Sequence, residues 1–186
     1  RRIDVDTKLS IFSTYIVGLM KKKQELNRVD SLFTEMLEQY PQEEPVHRLF
    51  GMYLSSRKDF SRAEEQYAIA ADLAPTNPEN WLQLIGLYLY QEKYAEVIRV
   101  GKRAIQYVPD QKDIYMYVAV ASAQTKSYDE ALSMLETGLN YVEENDAGTK
   151  SFFYGQMGDV YHSAGDKEKS YEMYEKALSY NASNLS

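Results

Sequence analysis

Residues 75–109 read PTNPENWLQLIGLYLYQEKYAEVIRVGKRAIQYVP, and this stretch decides the fold. Its apolar residues recur at helical spacing in two segments, split by the polar Glu92-Lys93 turn. The stretch opens on Pro75 and closes on Pro109, 34 residues later, and Pro41 lies 34 residues before Pro75. A proline cannot continue a helix, so each marks a stop behind a helical segment. A fixed period of this length signals stacked copies of one supersecondary unit.

Counting outward gives frames at 10–43, 44–77, 78–111 and 112–145. A fifth fits at 151–184, after an insertion near 143–150 around Glu143-Glu144-Asn145-Asp146-Ala147. The eighth position of the frames holds Val17, Gly51, Ile85, Ala119 and Gly158, and the twentieth Val29, Ala63, Val97, Ala131 and Ser170. The twenty-seventh holds Met36, Ala70, Ala104, Gly138 and Ala177. Small residues thus recur where two helix backbones must approach closely. Bulky ones sit between them, with Ile16, Phe50, Leu84, Val118 and Met157 at the seventh position. Phe33, Tyr67, Leu135 and Tyr174 stand at the twenty-fourth.

Each frame divides at a short polar turn: Lys58-Asp59, Glu92-Lys93, Lys126-Ser127 and Gly165-Asp166. Asn77 is placed to cap a helix with Pro78 in its first turn. Ser127 with Glu130 has capping-box spacing, and Asp59, Asp110 and Asp166 are further expected caps. No segment shows sustained strand alternation. The expectation is an all-α chain, a single array over 1–186 of about five helical hairpins and about ten helices.

The pattern resembles the tetratricopeptide repeat (TPR) through Trp81, Leu84, Tyr88, Tyr94, Ala104 and Pro109. The second frame matches through Phe50, Gly51, Phe60, Ala63, Tyr67, Ala70 and Pro75. The fifth matches through Tyr154, Gly158, Tyr161, Gly165, Asp166, Tyr174 and Ala177. The first frame departs with Val17 and Met36 at small-residue positions, and the fourth lacks the proline and carries Gly138. The resemblance implies an α-α superhelix, a TPR solenoid whose first helices line a concave face that binds a protein or peptide partner.

Inner-facing positions implied by the family are two, five, six, nine, twelve and thirteen. Among the residues this selects, the expected partner-binding strip is Tyr15, Arg48, Leu49, Met52, Leu82, Gln83, Leu89, Tyr90, Met116, Tyr117, Val120, Phe152 and Gln156. Ala123, Gln124, Asp159, His162 and Ser163 fall at inner positions too. Met adapts its shape and Tyr offers a rigid amphipathic ring, so both suit a contact surface. The family's carboxylate clamp needs Lys and Asn at inner slots that here hold Thr14, Gly18, Leu49, Leu82, Gly86, Met116 and Val120. Chaperone-tail binding is therefore excluded from the expectation.

Composition narrows the classes further. Net charge is -7 with a pI near 5.0, the wrong sign for releasing counterions from nucleic acid. The run Lys21-Lys22-Lys23 reads as the basic end of a helix. Cysteine is absent, which removes disulfides, thiol nucleophiles and thiolate metal sites. No apolar run is long enough to insert in a bilayer. Tyr is abundant, 17 residues against a single Trp, which suits much half-buried surface.

His47 and His162, far apart in sequence, have no metal-ligand spacing, and His47 occupies the aromatic column of Trp81, Tyr115 and Tyr154. Gly101-Lys102 lacks the other residues of a phosphate loop. Asn181 and Asn184 head glycosylation-type triplets that matter only in a secreted eukaryotic protein. The expected function is a non-enzymatic protein–protein interaction scaffold needing no cofactor or metal. Two alternatives stand beside it: a self-assembling repeat module forming a homo-oligomer, or the regulatory arm of a larger protein. Beginning at Arg1, the chain is expected to be a piece of a longer one. Its Tyr-rich, Cys-free style and Tyr180-Asn181 ending resemble bacterial TPR proteins of Bacteroidetes envelopes, which implies a cytoplasmic or periplasmic, envelope-associated setting.

Overall fold

Proline and the polar turns divide the chain where helices end. The computed structural model describes residues 5–22 and 26–182, and among these there are ten α-helices and no strand. They are α1 (Val5–Lys22), α2 (Leu26–Gln39), α3 (Glu44–Ser56), α4 (Phe60–Leu73) and α5 (Pro78–Tyr90). Then come α6 (Tyr94–Ile105), α7 (Lys112–Gln124), α8 (Tyr128–Leu139), α9 (Ala147–Ala164) and α10 (Lys167–Ala182). Lys21 and Lys22 close α1, whereas Lys23 and the triplet ends beyond Ala182 lie outside the described residues. The helices fall into two compact units, Arg1–Leu87 and Tyr88–Ser186, with the boundary inside α5.

Four hairpin turns share one geometry. The fifteenth residue of the frame takes a left-handed conformation: Lys58 (φ 64°), Glu92 (φ 57°), Lys126 (φ 62°) and Gly165 (φ 87°). The next N–H reaches back five residues to close the preceding helix. Asp59 donates to the Leu54 carbonyl at 3.0 Å, Lys93 to Tyr88 at 2.9 Å, Ser127 to Ser122 at 2.8 Å and Asp166 to Tyr161 at 2.9 Å. This is the Schellman closure, and it satisfies carbonyls that a helix end leaves without partners.

Helix starts are less uniform than expected. Asn77 Oδ1 accepts from the Glu79 N–H at 3.2 Å, and Asp166 Oδ1 from Lys169 at 3.1 Å. Asp59 and Ser127 stand at N-caps but make no side-chain cap bond. The Asp59 carboxylate pairs with Arg62, and Glu130 turns away from Ser127 to accept from Ser122 and pair with Lys102. Asp110 lies one residue early, because Gln111 is the N-cap of α7. Asp146 is a cap that spacing did not flag: its Oδ1 accepts from Thr149 at 2.9 Å, so α9 begins a turn ahead of Ser151.

In the first unit, Phe33 is fully buried, stacked on Phe50 at 4.5 Å and met edge-on by Phe12 at 5.2 Å. The α3–α4 hairpin closes over Gly51, where a β-carbon would lie 2.6 Å from Cδ1 of Tyr67. Only a bare backbone leaves room for that ring. Burial pushes the Tyr67 phenol up to about 12.

The second unit repeats the device. A β-carbon on Gly158 would lie 2.5 Å from Cε1 of Tyr174, and one on Gly138 would meet Phe153 and Tyr115 at 2.8 Å. Its core gathers Met116, Ala119, Ala131, Leu135, Val142, Phe153, Met157 and Val160.

The aromatic column acts as a clasp between successive hairpins. Trp81 Nε1 donates to the Pro75 carbonyl at 2.7 Å and Tyr115 Oη to Pro109 at 2.9 Å. His47 Nε2 lies 3.0 Å from the Pro41 carbonyl, which can only accept, so that nitrogen carries the hydrogen. His47 is buried and its other nitrogen meets the Gln66 side chain at 2.8 Å, a packing role in the aromatic column.

Two stability predictions follow from these contacts. Gly51→Ala and Gly158→Ala each lower unfolding free energy in urea by about 1–3 kcal/mol through overpacking. Gly86→Ala, where a β-carbon meets nothing within 4 Å, raises it by about 0.5–1 kcal/mol through helix propensity; equal effects at the three sites would refute the assigned contacts. Because the folded Tyr67 holds its proton to about 12 while the unfolded phenol releases it near 10, stability is complete below pH 10 and falls as pH rises toward 12. Tyr67→Phe keeps the ring and makes that decline shallower in alkaline denaturation.

Candidate functional site

The thirteen strip residues occupy first helices, and the two units hold them separately. In the first, Tyr15 is 42% exposed with the Arg28 guanidinium 6.0 Å from its ring centre, and Met52 is 40% exposed. Leu49 and Leu82 are half-buried. Arg48 Nε donates to Glu44 Oε1 at 2.9 Å, and Gln83 Nε2 to Glu79 Oε1 at 2.7 Å, each along its own helix. Helices α1 and α3 adjoin, so inner positions of neighbouring hairpins share a surface.

In the second unit, Tyr90 is 68% and Phe152 57% exposed, while Leu89 and Tyr117 are half-buried. Met116 departs from the expectation. It is 6% exposed and packed in the core with Phe153 and Leu135, so its side chain is withdrawn from any partner. Val120 and Gln156 are brought together by the approach of α7 and α9. They line a cleft of about 160 Å³ with Ala119, Ala123, Gln124, Leu135, Asp159, Val160 and Ser163. Its floor is apolar and its rim polar. Of the other strip residues, Tyr15, Met52, Tyr90 and Phe152 are exposed.

Asp159 is the rim residue that composition and repeat spacing did not single out, although it falls at an inner position. Its Oδ1 accepts from the Tyr174 hydroxyl at 2.7 Å and its Oδ2 from Gln156 Nε2 at 3.1 Å. The Asp159 carboxylate holds the Tyr174 phenol above its ordinary value, first through this hydrogen bond and then with help from burial. Gly158 makes the arrangement possible by leaving the space that the Tyr174 ring fills. The signal was the glycine beside the aspartate, whose consequence depends on a tyrosine one helix later.

Among the described residues, no cluster of three or more His, Asp or Glu side chains is disposed to hold a metal. None of the described helices is long and apolar enough to cross a membrane.

Helical hairpins repeating every 34 residues, closed by a common turn and clasped through proline carbonyls, define a helical-repeat protein. Within that class, residues 153–184 match the tetratricopeptide repeat family. The chain is similar to TPR repeat-containing protein MJ1428 of Methanocaldococcus jannaschii, 26% identical over 101 residues. That match covers 53% of this chain and 17% of the relative, so the chain spans a small part of that protein. A crystal structure of MamA superposes with a TM-score of 0.71 at 15% identity, covering 100% of this chain and 99% of that one. YrrB, described as a TPR protein with an unusual peptide-binding site, gives 0.68 at 17% identity, covering 94% and 87%. At such identities the likeness speaks to fold.

The Asp159–Tyr174 bond has a direct spectroscopic consequence. In an NMR titration the Tyr174 ring shifts at higher pH than an ordinary tyrosine, and Asp159→Asn brings its midpoint down. An unmoved midpoint would remove the carboxylate as the cause.

Proposed function

We propose that this chain is a non-enzymatic protein-interaction scaffold that holds a segment of a partner protein or peptide against the inner faces of its first helices. The observation carrying this is the cleft between α7 and α9, where Val120 and Gln156 meet over an apolar floor. Concave, mostly apolar sites with a few polar groups at the edge are the usual form of a recognition pocket. Exposed Phe152 on α9 and Tyr90 on α5 add large amphipathic or apolar surface at other inner positions.

Glycine placement supports the same reading. Gly51, Gly101, Gly138 and Gly158 each have a side chain pressed where a β-carbon would stand. Gly18, Gly86 and Gly155 have nothing there, yet all three sit at inner positions within helices. A mid-helix glycine costs roughly 1 kcal/mol relative to alanine, with no packing return here. Bare backbone suits close approach by another chain. The description of YrrB as peptide-binding, in a chain of similar fold, agrees with this use.

The test is retention of partners from native lysate on immobilised wild-type chain and on the double variant Tyr90→Ala, Phe152→Ala. The proposal expects specifically retained bands to weaken at least about tenfold while the thermal midpoint stays within a few degrees, as for surface changes. Undiminished retention by the folded double variant would overturn it.

A further inference from the structure

Asp159 gives the α7–α9 cleft a chemical preference. The ninth frame position holds Gly18, Met52, Gly86 and Val120 in the other four repeats, so a carboxylate there occurs once. It is exposed and fixed by two donors, Tyr174 and Gln156, one on each oxygen. A carboxylate offers about four acceptor sites, so capacity remains for a further donor. None of the described residues lining the cleft is cationic, and the chain as a whole carries a net charge of -7.

Beside this anchored charge lies the apolar floor of Ala119, Val120, Ala123, Leu135 and Val160. Ala119, Leu135 and Val160 are buried members of the core, so the floor is rigid rather than adaptable. A volume of about 160 Å³ matches cavities that admit a benzene-sized group. That is room for one branched aliphatic side chain.

Resting on the scaffold reading above, we propose that this cleft selects a basic partner segment. It takes a Leu- or Ile-sized side chain onto the floor and an Arg or Lys from the same segment onto Asp159. The apolar anchor supplies contact area, and the charge-assisted hydrogen bond supplies orientation and discrimination against acidic segments. Tyr174 and Gln156 act as positioning residues, holding the carboxylate at the rim before a partner arrives. Charge complementarity favours a basic segment over an acidic or neutral one.

The experiment uses the full chain, isotopically labelled, titrated with three capped decapeptides: alternating Leu–Arg, alternating Leu–Glu and alternating Ser–Arg. The proposal expects Leu–Arg to shift the amides of Val120, Ala123, Gln156 and Ser163, with Ser–Arg much weaker and Leu–Glu without effect. Asp159→Asn, nearly the same size, weakens Leu–Arg binding about tenfold and flattens its salt dependence, as loss of one charged hydrogen bond requires. Tyr174→Phe weakens it less. Leu–Glu shifting the same amides as strongly as Leu–Arg overturns the charge assignment while leaving the scaffold reading intact. Undiminished binding by Asp159→Asn does the same. No shift of those amides with any peptide overturns the cleft as the binding point, and the scaffold reading is then judged by the retention experiment alone.

Discussion

The clasp between a ring and a proline carbonyl holds consecutive hairpins in register, and the other contacts depend on that register. A proline ends the second helix of a repeat, and its carbonyl then lies in a turn with no helical donor to meet it. The fourth residue of the next repeat supplies one. Trp81, Tyr115 and His47 differ in shape and chemistry, yet each buries a ring and meets a proline carbonyl with a polar edge. After α8 the proline is missing, with Glu143 in its place. Tyr154 there stacks flat on Tyr180 at 5.5 Å instead, and the Lys176 ammonium sits 4.4 Å from its ring centre. Those contacts, and the Ser151 hydroxyl that donates to the Ala177 carbonyl at 2.8 Å, lie within the fifth hairpin; between α8 and α9 it is Phe153 that packs over Gly138.

Within a hairpin the governing quantity is the distance between helix backbones. Gly51 under Tyr67 and Gly158 under Tyr174 are the same solution in different units, a bare backbone on one helix receiving a ring from the other. Val118 fills the space over Gly101 in the same way, between helices α6 and α7 of adjacent repeats. Close packing of this kind leaves little freedom to exchange large and small partners singly, because each void and each bulge is matched to its neighbour.

The period was legible because three prolines and three small-residue columns repeat it, and helices are local enough for such marks to suffice. The αL residues at Lys58, Glu92 and Lys126 were not, since only Gly165 advertises that conformation; the hairpin closure imposes it on whatever residue stands there. Met116 illustrates a different limit. An inner position in the repeat frame specifies a direction from the helix axis, but burial is decided by what the next repeat brings, here Phe153 on α9. The capping box at Ser127 lost its Glu130 arm for a similar reason, because Lys102 and Ser122 engage the Glu130 carboxylate across sequence distance. At the candidate cleft, Val120 and Gln156 stand at inner positions that the family resemblance implies, whereas Ala119, Leu135 and Val160 were not among the expected strip residues. The orientation of Asp159 required knowing that Gly158 admits Tyr174.

The clasp also has a kinetic side. Tyr115 and Pro109, or Trp81 and Pro75, are close neighbours along the chain, and the glycine–tyrosine contacts join only the two arms of one hairpin. Closing such short loops costs little entropy, and folds built of near-neighbour contacts reach the native state quickly. A hairpin emerging during synthesis can close on its own glycine. It then offers the proline carbonyl to the ring of the hairpin that follows, so assembly proceeds in the direction of translation.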